Sequence, residues 1–127
     1  MKGSYVDGFV FPVPKNKVAA YKKMATWGMR TWMKHGALAY YECQGDDITP
    51  KPHGGMKSRS FKELAKAGPN DTVWFSFIVF KDKKHRNAVN KKVMDQMNKE
   101  AKKWEGVPMP MDPNKMAYGG FKAVVKK

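Results

Sequence analysis

Glu42, Asp46 and Asp47 fall within one six-residue window, and a strand carrying Asp7 could bring a fourth carboxylate beside them. Carboxylates held together raise one another's pKa and can serve as general acid or base. The same residues also suit a turn, because aspartates in a run such as Gly45-Asp46-Asp47 bond nearby backbone amides. A second pair, Arg86 and Asn90, is spaced one helical turn apart and shares a stripe with Val93, Met97 and Trp104. A buried-side arginine needs a partner, since an unpaired buried charge is very costly. It either ties its helix to a carboxylate or to loop carbonyls, or it forms an anion site at the mouth of a pocket. His35, His53 and His85 have no second ligand at a metal spacing, and Cys43 is the single cysteine. There is no G-x-S-x-G, no P-loop and no dinucleotide fingerprint. No catalytic residue is identified, and neither a metal nor a cofactor is expected.

The elements that must position these residues follow a regular alternation. Residues 4–13 read as a strand closed by Pro12 and Pro14, and residues 15–35 as a helix stopped by Gly36. In that helix Val18, Tyr21, Ala25, Gly28, Met29 and Trp32 share one face, while Trp27 points the opposite way as a subunit contact or loop-covered residue. A second strand covers 37–45. An excursion over 46–60 carries two prolines and two glycines, and a helical turn at 61–67 ends at Gly68-Pro69. The strand TVWFSFIVF follows at 72–80, then a helix over 83–104, a proline-rich loop, and a last strand at 116–125. The order β-α-β-β-α-β predicts one α+β domain spanning 1–127, a ferredoxin-like unit whose four-stranded antiparallel sheet carries both helices on one face.

An antiparallel sheet with one wet face should alternate apolar and polar residues, and these strands do not. One face collects Val6, Gly8, Val10, Val73, Phe75, Phe77 and Val79, which suits packing under helices. The other collects Tyr5, Asp7, Tyr40, Glu42, Trp74, Ser76 and Tyr118, aromatic bodies with convergent polar groups. That set fits a small-molecule pocket or a polar subunit interface equally well. Two helices cover only one face, so a second copy of the chain is expected on the other, with the 46–60 excursion as the alternative cover. The ligand-binding candidates are therefore Tyr5, Asp7, Tyr40, Glu42, Trp74, Ser76, Arg86, Asn90 and Tyr118.

The stretches YVDGFVFPVP at 5–14, ECQGDD at 42–47, VWFSFIVF at 73–80, the Arg86 and Asn90 pair, and MAYGGF at 116–121 run in order along nearly the whole chain. In these the sequence resembles the YbaA-like family of small bacterial proteins. The resemblance implies a dimeric α/β-barrel fold and brings no established function with it. Two features depart from the family pattern: Asn87 follows the arginine, and the surface is richer in lysine.

Composition narrows the rest. With 127 residues, 42% of them hydrophobic and 13% aromatic, the chain can bury a core. Asp7 interrupts the first apolar run before it becomes a signal-peptide core, and no stretch approaches the roughly 20 apolar residues of a membrane span. A cytoplasmic protein without a membrane partner is expected. The formal charge is +14, yet Arg30, Arg59 and Arg86 are the only arginines beside 22 lysines. Lysine is a hydrated point charge rather than a bidentate reader of bases. The expected function is a homodimer that binds or transforms a small hydrophobic ligand in the cavity between its two sheets. The alternative is a non-enzymatic protein whose lysine-rich helix face binds nucleic acid or another polyanion. Weak, non-specific attraction of nucleic acid at low salt only is expected of the basic surface in itself.

Overall fold

Four strands form an antiparallel sheet in the order β2-β3-β1-β4. They are β1 (Tyr5–Pro14), β2 (Ala39–Gln44), β3 (Asp71–Phe80) and β4 (Ala117–Lys122). The helices are α1 (Val18–Lys34), α2 (Phe61–Leu64), α3 (Lys83–Lys99) and α4 (Ala101–Trp104). This computed structural model describes residues 3–49, 51, 54, 55 and 57–127; His53 and the excursion prolines Pro50 and Pro52 lie outside the described residues. No helix among the described residues is long and apolar enough to cross a membrane.

Local chemistry sets the boundaries. Gly36, at φ 112°, turns the chain out of α1 in the left-handed conformation that glycine adopts freely. Asp82 opens α3 by accepting the backbone N–H of His85 at 2.7 Å. Pro14 closes β1 as expected, whereas Pro12 lies within it. Beyond Val10 the strand pairs only with β3, and a strand with one free side tolerates residues that lack an N–H. The last strand stops at Lys122 rather than 125, leaving Val124 and Val125 exposed. The expected single helix over 83–104 breaks at Glu100 into α3 and α4.

The core lies between the sheet and the two long helices. One cluster joins Tyr5, Ile78 and Phe80 of the sheet to Val89 and Val93 of α3; a second joins Phe11, Val13 and Trp74 to Tyr21 and Ala25 of α1 and to Met111. The helices therefore cover the face that carries Tyr5, Asp7, Trp74 and Ser76, which reverses the expected assignment of the two faces. The reason is amphipathic: tyrosine and tryptophan bury their rings under a helix while their polar tips find partners there. Met97, expected in the buried stripe of α3, is exposed. Trp27, expected to point away, meets Trp104 of α4 edge-on at 5.3 Å between ring centroids.

The opposite face is apolar and largely open. Tyr41 stacks on Phe77 at 5.0 Å, with Phe75 beside them; Tyr41, Phe75 and Phe121 are 52%, 45% and 63% exposed. Among the described residues, Ile48 of the 46–60 excursion and Phe61 of α2 border Val73 at one end of it, across an open cleft of about 400 Å³.

Candidate functional site

The pleat places Asp7 on β1 and Glu42 on β2 on the same helix-covered face, and each gathers its own partners. Asp7 is 1% exposed. Arg86 Nε faces its Oδ1 at 3.2 Å, while Asn90 Nδ2 and the Tyr118 hydroxyl each donate to Oδ2 at 3.4 Å. Arg86 also donates through Nη2 to the Tyr5 hydroxyl at 3.0 Å, lies 5.1 Å from that ring's centroid, and donates through Nη1 to Asn87 at 3.1 Å. Trp32 Nε1 donates to Asn90 Oδ1 at 3.0 Å and so ties α1 into the same network. Burial pushes the Asp7 carboxyl above its ordinary value, and Asn90, Arg86 and Tyr118 pull it back only in part. Burial, then the charge of Asp7, raises the Tyr118 phenol.

Glu42 is held by hydroxyls. Tyr21 donates to Oε1 and Tyr40 to Oε2, both at 2.7 Å, and the Ser76 hydroxyl adds a second donor to Oε1. Burial, reinforced by the Glu42 charge, pushes both phenols up, which keeps them protonated and donating. Three donated protons match an ionised carboxylate, which only accepts.

Two glycines make room for these networks. A Cβ at position 28 of α1 would lie 2.8 Å from the Tyr40 hydroxyl, and one at position 120 would strike the Tyr5 hydroxyl and Arg86 Nη2. A glycine inside a helix costs roughly 0.5–1 kcal/mol relative to alanine. At Gly28 that cost lets the Tyr40 hydroxyl reach Glu42. Gly120 serves the same purpose for the Tyr5 hydroxyl and the Arg86 guanidinium.

Access separates the two carboxylates. Asp7 is sealed beneath α3, where it and Arg86 lock the helix to β1 and β4. Glu42 lines an open cleft of about 320 Å³ with Lys22, Ala25, Thr26, Met29, Tyr40 and Trp74. The nine expected site residues thus share one sheet face and its covering helix, but in separate settings. Tyr5, Asp7, Arg86, Asn90 and Tyr118 form one group, and Tyr40, Glu42 and Ser76 the other. Trp74 serves as a wall, its Nε1 bonded to Thr72 Oγ1 at 2.9 Å. The expected cavity between two sheets is corrected: these groups lie between the sheet and the helices of one chain.

The carboxylate cluster of Glu42, Asp46 and Asp47 does not form. Glu42 points under α1, whereas Asp46 and Asp47 are exposed and border the cleft on the other face. His35 bonds Gln96 at 2.6 Å, and His85 Nδ1 accepts the backbone N–H of Lys81 at 3.0 Å. Among the described residues no group of three or more metal-ligating side chains converges. Tyr21 was the residue missed. It reads as part of the apolar helix stripe, and the signal was its hydroxyl, which must find a partner once buried.

Fold and site together define an α+β protein with an antiparallel sheet, two buried polar networks set into its helix-covered core face, and a carboxylate of that face open to a cleft. The chain belongs to the family described as Protein of unknown function (DUF1428), which matches residues 4–113. It is 39% identical over 122 residues to the Uncharacterized protein YbaA of Escherichia coli (strain K12), covering 95% of this chain and 97% of that one. The Uncharacterized protein YbaA of Shigella flexneri matches with the same identity and coverage. The family resemblance read from the five sequence stretches is borne out.

Proposed function

We propose that this single ferredoxin-like domain pairs through its open sheet face into a dimeric α/β barrel, and binds a small, largely apolar ligand in the cleft beneath α1. The strand order and the uncovered aromatic face support the pairing. One observation carries the binding reading: Glu42 presents a carboxylate, braced by three hydroxyls, at the wall of a mostly apolar cleft. A few oriented polar groups in a mostly apolar concavity of a few hundred Å³ are what small-molecule sites consist of. Three donors already on the carboxylate favour binding over proton transfer. Native mass spectrometry of the purified protein is expected to detect a co-purifying small molecule, and Glu42→Gln to lose it. Retention of the same molecule by Glu42→Gln would remove Glu42 from the site.

A second reading rests on the exposed lysines of α3 and α4. Lys83, Lys84, Lys91, Lys92, Lys99, Lys102 and Lys103 are all exposed, with the Lys91–Asp95 pair at 3.7 Å the ion pair among them. Such a surface attracts polyanions through counterion release, and the affinity falls steeply with salt. We expect weak, sequence-independent binding to RNA and DNA oligonucleotides that nearly vanishes at physiological ionic strength, checked by a salt titration. Tight binding that persists there with a sequence preference would place this reading above the first.

A further inference from the structure

We propose that the cleft beneath α1 takes a small monocationic ligand, an organic ammonium with an apolar body, whose nitrogen pairs with Glu42; this rests on the reading of that cleft as a binding site. Glu42 is satisfied in hydrogen bonds but not in charge. Its three donors are neutral hydroxyls, from Tyr21, Tyr40 and Ser76. The ion pairs among the described residues are Arg86–Asp7 and Lys91–Asp95, and neither involves Glu42. Asp7, the other carboxylate of this face, shows the contrast, since it has the Arg86 guanidinium at 3.2 Å. A charge drawn out of bulk water is stabilised by an opposite charge far more than by neutral dipoles alone.

The cleft favours a ligand that brings this charge. Oε1 already accepts two hydroxyls and Oε2 only one, so Oε2 has the freer lone pair for an incoming N–H. Tyr40, half-buried at the cleft wall, contributes aromatic surface, which attracts a cation through the ring quadrupole. Ala25 and Met29 of α1 offer apolar surface to the remainder of the molecule. Lys22, exposed on the same cleft, opposes a second positive charge and so disfavours diamines and polyamines. The chemistry that fits is one cationic nitrogen on a compact apolar or aromatic frame.

The test is a charge series of matched shape on the full chain. Phenethylamine, phenethyl alcohol and phenylacetate are titrated in turn, following amide and tryptophan indole NMR shifts. The amine is expected to give saturable shifts at α1 and β2, the alcohol to bind at least about tenfold more weakly, and phenylacetate not to bind. Glu42→Gln is expected to erase the preference for the amine, bringing its affinity down to that of the alcohol on the same variant. Should that variant fail to fold, the ranking of the three probes on the parent chain decides alone. Alcohol or phenylacetate binding as tightly as the amine would overturn the cationic ligand and leave the cleft standing as a site. No saturable shift from any probe up to about 10 mM, a limit that still detects the weakest specific complexes, would overturn both.

Discussion

Arg86→Ala is expected to lower the stability of this protein by about 3–5 kcal/mol, the usual loss when one member of a buried ion pair is removed. For a chain of this size that is a fall in melting temperature of roughly 10 °C or more. The substitution leaves Asp7, at 1% exposure, without its countercharge, and it also removes the contacts to Tyr5 and Asn87. The loss should depend on pH. The native Asp7 pKa is raised above its ordinary value of 3.8, chiefly by burial. Its contribution to stability is therefore fully present below the unfolded pKa and is lost as pH rises through the native one. Without Arg86, one of the influences that hold the native value down is gone, so the value climbs and more is lost by neutral pH. Melts of parent and variant should lie closest at acid pH and diverge towards pH 7. Curves that coincide at neutral pH would show that the pair contributes nothing.

The second large effect is on assembly. Light scattering coupled to size exclusion should give twice the 14.5 kDa chain mass at micromolar concentration and ordinary salt. Phe75→Asp should give the single-chain mass with the melt of a folded protein. Phe75 sits mid-strand on the open face and is already 45% exposed within one chain, so an aspartate there is tolerated by the isolated fold. Against a second copy, the same carboxylate would be desolvated and unpaired. Fully burying an exposed side chain of this size is worth about 1.5–3 kcal/mol. Tyr41, Phe75 and Phe121, at 52%, 45% and 63% exposure, have roughly half of that each to contribute to an interface, so that removing the centre of the patch weakens the whole. A parent that elutes as a clean monomer would end the barrel reading. A Phe75→Asp variant that remains a dimer would move the interface elsewhere.

The two predictions draw on opposite faces of one sheet, and the faces show how far residue patterns reach. Alternation in YVDGFVFPVP and TVWFSFIVF establishes that Asp7 shares a side with Tyr5, Trp74 and Ser76, because side chains in a strand repeat every two residues whatever the fold. Helical spacing likewise places Arg86 and Asn90 on one stripe, and Gly36 ends α1 where a left-handed residue is needed. These are local rules, and they survive folding.

Which face lies under the helices is not local. Both sides of β3 are apolar, so no wet side orients the sheet, and only packing selects the face whose aromatics carry polar tips. Proximity along the chain also misled at the carboxylates. Glu42 and Asp46 are four residues apart, but the strand ends at Gln44, and the chain then turns Asp46 and Asp47 towards the other face. Glu42 instead meets Tyr21, a residue from the preceding helix, and Ser76, a residue from the neighbouring strand. The sequence by itself determined the elements, their order and the residues that share a side. The tertiary structure alone decided that Asp7 receives a guanidinium while Glu42 receives only hydroxyls, because a countercharge depends on which helix lands above each strand and how closely a glycine lets it approach.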